Sequence, residues 1–135
     1  MKRFALLFAV VVAVACLWIG IAPAANEHAA AAAKPTVTTG EVVCMGCYVG
    51  HSAKGEKHAD CATKCVTGGM PMGLLTSSGQ LYLLTMDHEN ADAYNKVKGF
   101  TGKQAKITGS MHAKSGMKTI DVVGAEEVAM APAHK

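Results

Sequence analysis

Within 22 residues, CMGCYVGHSAKGEKHADCATKC, the chain gathers four of its five cysteines, Cys44, Cys47, Cys61 and Cys65, together with His51 and His58. Written as spacing this is C-x2-C-x13-C-x3-C, and it constrains the fold more than any other feature. A domain of about 100 residues hides a smaller share of its surface than a large one. Sulfur staples, as bonds or as metal ligands, would therefore add stability that a modest core lacks.

Metal ligation is the first expectation. The segment from about His58 to Val66, HADCATKCV, suits a short helix stopped by Gly68-Gly69. On that helix His58, Cys61 and Cys65 stand at i, i+3 and i+7 and project from one face. Cys47 is the expected fourth donor, with Cys44 or His51 as substitutes. Tetrahedral zinc accepts three cysteines with one histidine, or cysteines alone, and its binding energy becomes folding energy in a small domain. The methionines extend the choice to copper. Several lie beside histidine or each other, in Met70-Pro71-Met72, Met86-Asp87-His88 and Met111-His112. Thioether, thiolate and imidazole together favour copper(I). Taken singly, methionines also fill irregular cores, and His88, His112 and His134 have the ordinary alternative of solvated loop or tail positions.

Two other uses of the sulfurs compete. Cys61 and Cys65, one helical turn apart, would not bond each other, but each could bridge to Cys44 or Cys47; two such disulfides would contribute roughly 2 to 4 kcal/mol each. The pairing is not legible from spacing. Thiol-disulfide exchange is the third use, since Cys44-Met45-Gly46-Cys47 is a C-x-x-C. In redox enzymes that motif opens a helix after a strand, whereas Gly46, Gly50 and Gly55 point here to a loop. Tyr48 occupies the place of the histidine that covalent haem attachment needs, so no haem is expected. There is no G-x-S-x-G elbow, no phosphate-binding glycine loop and no H-E-x-x-H helix. Enzymatic activity is not expected.

The first 24 residues read as a secretory signal peptide: Lys2 and Arg3, an apolar run from Phe4 to Ile21, then Ala22-Pro23-Ala24. The alternatives are a retained anchor, the only membrane association expected, or lipidation at Cys16, for which the apolar Leu17 to Ile21 is a poor continuation. Without Lys2 and Arg3, the 13 basic residues fall to 11 lysines against 10 acids, and no arginine is left. With only Tyr48, Tyr82, Tyr94 and Phe100 as aromatics, nucleic-acid binding is excluded as a main function. The chain is expected to be secreted, periplasmic or at the cell surface, where four remaining cysteines meet an oxidising environment.

An Ala-rich tether is expected over 25–35 and a single domain over 36–130, followed by a tail, 131–135. TVTTGEVV reads as a strand. MGLLTSSGQLYLLTM reads as a hairpin. ADAYNKVKGF reads as a helix with Asn90 as N-cap and Ala93, Tyr94 and Val97 inward. KQAKITGSM and MKTIDVV form a last hairpin around His112 to Gly116, with Ala105, Ile107 and Gly109 on one face. The order, mainly β, resembles the five-stranded OB-like Greek-key barrel with a helix between strands 3 and 4, and a Cys-rich helical insert, 44–70, between strands 1 and 2. In that fold the loops between strands 1 and 2 and between strands 4 and 5 share one side. Met111, His112 and Met117 would then be secondary soft donors near the cysteines.

The run Cys47-Tyr48, His51, His58 to Cys65, Gly69 to Leu75 and GQLYLL at Gly79 to Leu84 resembles a family of small secreted bacterial OB-fold-like proteins with a C-Y...H-x-x-C-x-x-x-C motif. The likeness covers most of the domain and implies a fold without an established activity. In that pattern the position of Cys44 is often not cysteine, so this chain departs from it there. The expectations are thus a metal-holding protein (zinc or copper), a disulfide-stapled module for a peptide, glycan or protein partner, or a redox carrier.

Overall fold

A computed structural model describes residues 34–129. The expected signal peptide 1–24, most of the tether 25–35, and the tail 131–135 with His134 lie outside the described residues. Among the described residues the fold is mainly β, with five strands in one mixed sheet and three α-helices. The strands are β1 (Thr36–Cys44), β2 (Met72–Leu75), β3 (Leu81–Met86), β4 (Gln104–Lys114) and β5 (Met117–Glu127). The helices are α1 (Met45–His51), α2 (Ala59–Thr67) and α3 (Ala91–Val97). Short 3-10 turns precede α2 at Glu56–His58 and follow α3 at Lys98–Phe100. No helix among the described residues is long and apolar enough to cross a membrane.

Hydrogen bonding runs β1-β2-β3-β5-β4 and returns to β1, so every strand has two neighbours. All pairs are antiparallel except β3 with β5. The return is possible because β1 serves two partners: Thr36 to Glu41 pair with β4, and Glu41 to Cys44 pair with β2. The hand-over falls beside Gly40, where a Cβ would sit 2.6 Å from the Leu75 carbonyl oxygen. Only a residue without a side chain permits that approach.

The core lies inside this ring of strands, with Val42, Met72, Leu74, Leu84, Ile107, Ile120 and Val122 nearly sealed from solvent. Burying each such side chain contributes about 1.5 to 3 kcal/mol. The helices close over it with one small face each: Ala62 and Val66 from α2, and Val97 from α3, with Ala93 and Tyr94 packed alongside. The inward positions expected for α3, Ala93, Tyr94 and Val97, are therefore the observed ones.

Three local expectations need correction. Gly46 and Gly50 do not break the chain into a loop; α1 forms across them although it buries no residue fully. Its hold is on neighbouring segments, as where the Met45 N–H donates to the Pro71 carbonyl at 2.9 Å. The last hairpin turns in two residues, Ser115 and Gly116, not five. Both have positive φ, 52° and 80°, the combination that follows the strand twist, so pairing continues to Lys114↔Met117. Asn90 makes no side-chain cap to α3. Asp87 Oδ1 accepts from the N–H groups of Glu89 and Asn90 at 2.9 and 3.0 Å instead.

Candidate metal centre

The centre is assembled by the two helices of the insert. Cys44 is the last residue of β1 and the N-cap of α1, and it points into the core with 1% of its surface exposed. Cys47 follows one turn later and packs, half-buried, against the same core. On α2, Ala62 and Val66 fix the inward face. Cys61 and Cys65 each precede one of them, which rotates the cysteine row by about 100° from the buried face. That row faces α1.

Two groups of ligand atoms result. The sulfurs of Cys44, Cys47 and Cys65 lie within 4.8 Å of one another, and so do the ligand atoms of Cys47, His58 and Cys61. Cys47 belongs to both. Its sulfur is 4.0 Å from that of Cys65, with the Cys47 thiol donating. A tetrahedral zinc with Zn–S bonds of about 2.3 Å separates two sulfurs by about 3.8 Å, so this pair already stands near ligand spacing.

His58 brings an imidazole to the second group. It ends the 3-10 turn just before α2, and its Nε2 is buried with no hydrogen-bond partner among the described residues. An unpaired buried nitrogen is costly in an ordinary fold, and a ring nitrogen of the same imidazole lies within 4.8 Å of the Cys47 and Cys61 sulfurs. Backbone contacts hold the residue in place. The His58 N–H donates to the Gly55 carbonyl at 2.9 Å, and the Gly55 N–H donates to Glu41 Oε1 of β1.

The Cys47 and Cys65 thiols oppose ionisation as they stand. The Cys47 thiol is pushed from 9.0 up to about 12, first by its hydrogen bond to Cys44, then by burial and by Cys65. For Cys65 the hydrogen bond from Cys47 lowers the value. Burial and the proximity of Cys61 and Cys44 outweigh it, and the net shift is upward. Several sulfurs in one small volume cannot share negative charge without a cation. A metal would reverse that balance.

All four described cysteines are free thiols, so the alternative of two disulfides between Cys44 or Cys47 and Cys61 or Cys65 is not formed. Sulfurs 4.0 Å apart are about twice the length of a disulfide bond. The C-x-x-C is not in a loop: it spans a strand end and a helix start. Even so, the raised Cys47 value runs against the low-pKa thiol of a redox motif.

The remaining candidates lie outside both groups. His51 is exposed at the end of α1. Met111 packs half-buried on the core, and His112 Nε2 pairs with Asp121 Oδ2 at 3.1 Å. Met117, 57% exposed, lines a shallow groove with Met45, Leu81 and Leu83. The two loops therefore approach through Met45 and Met117, without the cysteines and His112 meeting.

Sequence reasoning placed Cys44 as a substitute, whereas its sulfur stands within one of the two groups. The supports of the centre were also missed: Glu41, and the Thr63 and Thr101 hydroxyls, which bond at 2.6 Å and tie α2 to the segment after α3. No short-range pattern marks them, because each acts across more than 10 residues of sequence. No protein-family model, no curated protein and no solved structure matches this chain.

Proposed function

We propose that this is a non-enzymatic binding protein that holds a soft or borderline metal ion, zinc or copper, through Cys47, His58, Cys61 and Cys65, with Cys44 as an adjoining fifth donor. The observation that carries this is the His58 imidazole, which offers a ring nitrogen to a group with two thiols and whose Nε2 is buried without a hydrogen-bond partner among the described residues. Thiolates and imidazole are the donor types of closed zinc sites and of copper(I) sites. The scaffold is an OB-like closed barrel on this reading, supported by a strand order that returns to β1. The protein acts as secreted, periplasmic or surface-held, where a bound metal would keep its thiols from oxidation.

The test is a competition titration of the reduced protein with zinc(II) and a chromophoric chelator, with thiol alkylation followed in parallel. Metal should protect the cysteines from alkylation. Residues that only hydrogen-bond to a metal's ligands are worth about 10- to 100-fold in metal affinity, so His58→Ala, which removes a ligand, should weaken binding by more than about 100-fold. Equal affinity in the variant, or no protection in the wild type, would end this proposal.

A further inference from the structure

We infer that the centre is built for two copper(I) ions bridged by the Cys47 thiolate. This rests on the metal-binding reading above and specifies its ion and stoichiometry. The argument starts from the way the donors divide. They do not form one group of five; they form two groups of three that share a single atom, Cys47 Sγ.

Donor counting then separates the metals. Five residues with one bridging sulfur offer six bonding positions, which is what two three-coordinate ions use. One tetrahedral zinc uses four positions and leaves Cys44 or His58 over. Two tetrahedral zinc ions need eight, more than the groups provide. Copper(I) has a filled d shell, prefers thiolate, and is satisfied by three soft donors.

The surroundings differ between the two halves. The Cys44, Cys47 and Cys65 group is built around the nearly sealed Cys44 and consists of sulfur alone. The Cys47, His58 and Cys61 group is open to solvent at Cys61. An ion entering at Cys61 meets the outer group first and reaches the inner one through the shared sulfur. Four thiolates around one copper(I) would leave three uncompensated negative charges, and a second copper(I) reduces them to two. Filling is therefore cooperative. Each thiol gives up its S–H proton and binds copper through sulfur, Cys47 to both ions and the others to one each; four protons pass to the buffer, and copper stays as copper(I) throughout, so no electron is transferred.

The experiment is an anaerobic titration of the reduced protein with copper(I) delivered as its acetonitrile complex against a bicinchoninate competitor. Native mass spectrometry counts the ions, and X-ray absorption at the copper edge reports neighbours. The wild type should take two copper(I) with a short copper-copper shell, and a single zinc(II) in a separate arm. Cys61→Ser, at an exposed position, should leave one copper(I) and abolish that shell. Cys44→Ala, which keeps the core apolar, should do the same, with circular dichroism confirming its fold. Saturation at one copper(I), or two without the copper-copper shell, overturns the bridged pair while leaving a metal site. Failure to bind either copper(I) or zinc(II) overturns the metal-binding reading itself.

Discussion

Replacing His58 with leucine should affect the metal-free and metal-loaded protein in opposite directions. In the metal-free fold, Nε2 is buried without a partner, and such a group costs about 1 to 3 kcal/mol. The ring as a whole is only partly buried, so the low end, about 1 kcal/mol, is the appropriate figure. Leucine keeps most of the volume and removes the unpaired nitrogen. For a domain of this size 1 kcal/mol corresponds to roughly 4 to 8 °C in Tm. With metal present the sign turns. At a free concentration 100 times Kd the wild type gains about 2.7 kcal/mol. A variant weakened about 100-fold gains only about 0.4 kcal/mol under the same conditions. The assay is thermal unfolding by circular dichroism of reduced protein, with chelator and with zinc(II). With chelator His58→Leu should melt at or above the wild type; with zinc it should melt well below. A fall of 4 °C or more in chelator would show that the imidazole is a structural partner, and equal zinc shifts would remove it from the ligand set.

Three further outcomes follow from the same contacts. In the metal-free protein the Cys47 thiol is raised to about 12 from 9.0, so the native state binds its proton more tightly than the unfolded chain. Stability present below pH 9 should be lost as the pH rises toward 12, and urea midpoints for Cys47→Ser should be flatter over that interval. Gly40→Ala places a methyl against the Leu75 carbonyl and should cost about 1 to 3 kcal/mol, whereas Gly99→Ala, which meets nothing within 4 Å, should be neutral within about 1 kcal/mol; similar urea midpoints for the two would refute the close approach. Thr101, 1% exposed, bonds the Thr63 hydroxyl and the Lys98 carbonyl, so Thr101→Val should cost about 1 to 3 kcal/mol and speed alkylation of Cys65, while an unchanged rate would separate α2 from that anchor.

Much of the fold was legible because its elements announce themselves locally. The alternation of Ala105, Ile107 and Gly109, and the spacing of Ala93, Tyr94 and Val97, are short-range patterns set by strand and helix period. What escaped was decided by contacts from elsewhere. Gly46 and Gly50 disfavour a helix in isolation, but the Pro71 carbonyl receives the Met45 N–H and fixes the first turn. The strand before the C-x-x-C was read from TVTTGEVV, but the helix after it, Met45–His51, was displayed by no window of sequence. His112 and Met117 were grouped with the cysteines on topology alone. Whether two loops on one side touch depends on side-chain direction, and Asp121 on the neighbouring strand had a stronger claim on His112.

The same distinction explains why the centre sits where it does. A metal site gains affinity when its donors are held in place before binding, and here the rigidity comes from the sheet. Cys44 belongs to β1 and cannot move without disturbing the ladder to Met72. Cys61 and Cys65 ride on a helix whose other face, through Ala62 and Val66, is part of the core. His58 rides on the short 3-10 turn Glu56–His58, and the carboxylate of Glu41 reaches from β1 to hold the N–H of Gly55, which opens that turn. Glu41 is also the residue at which β1 changes partners, pairing with Leu75 on one side and Gln104 on the other. The strand junction that lets the sheet return to its first strand is thus the same junction that steadies the imidazole. Loosening it should weaken metal binding before it unfolds the domain.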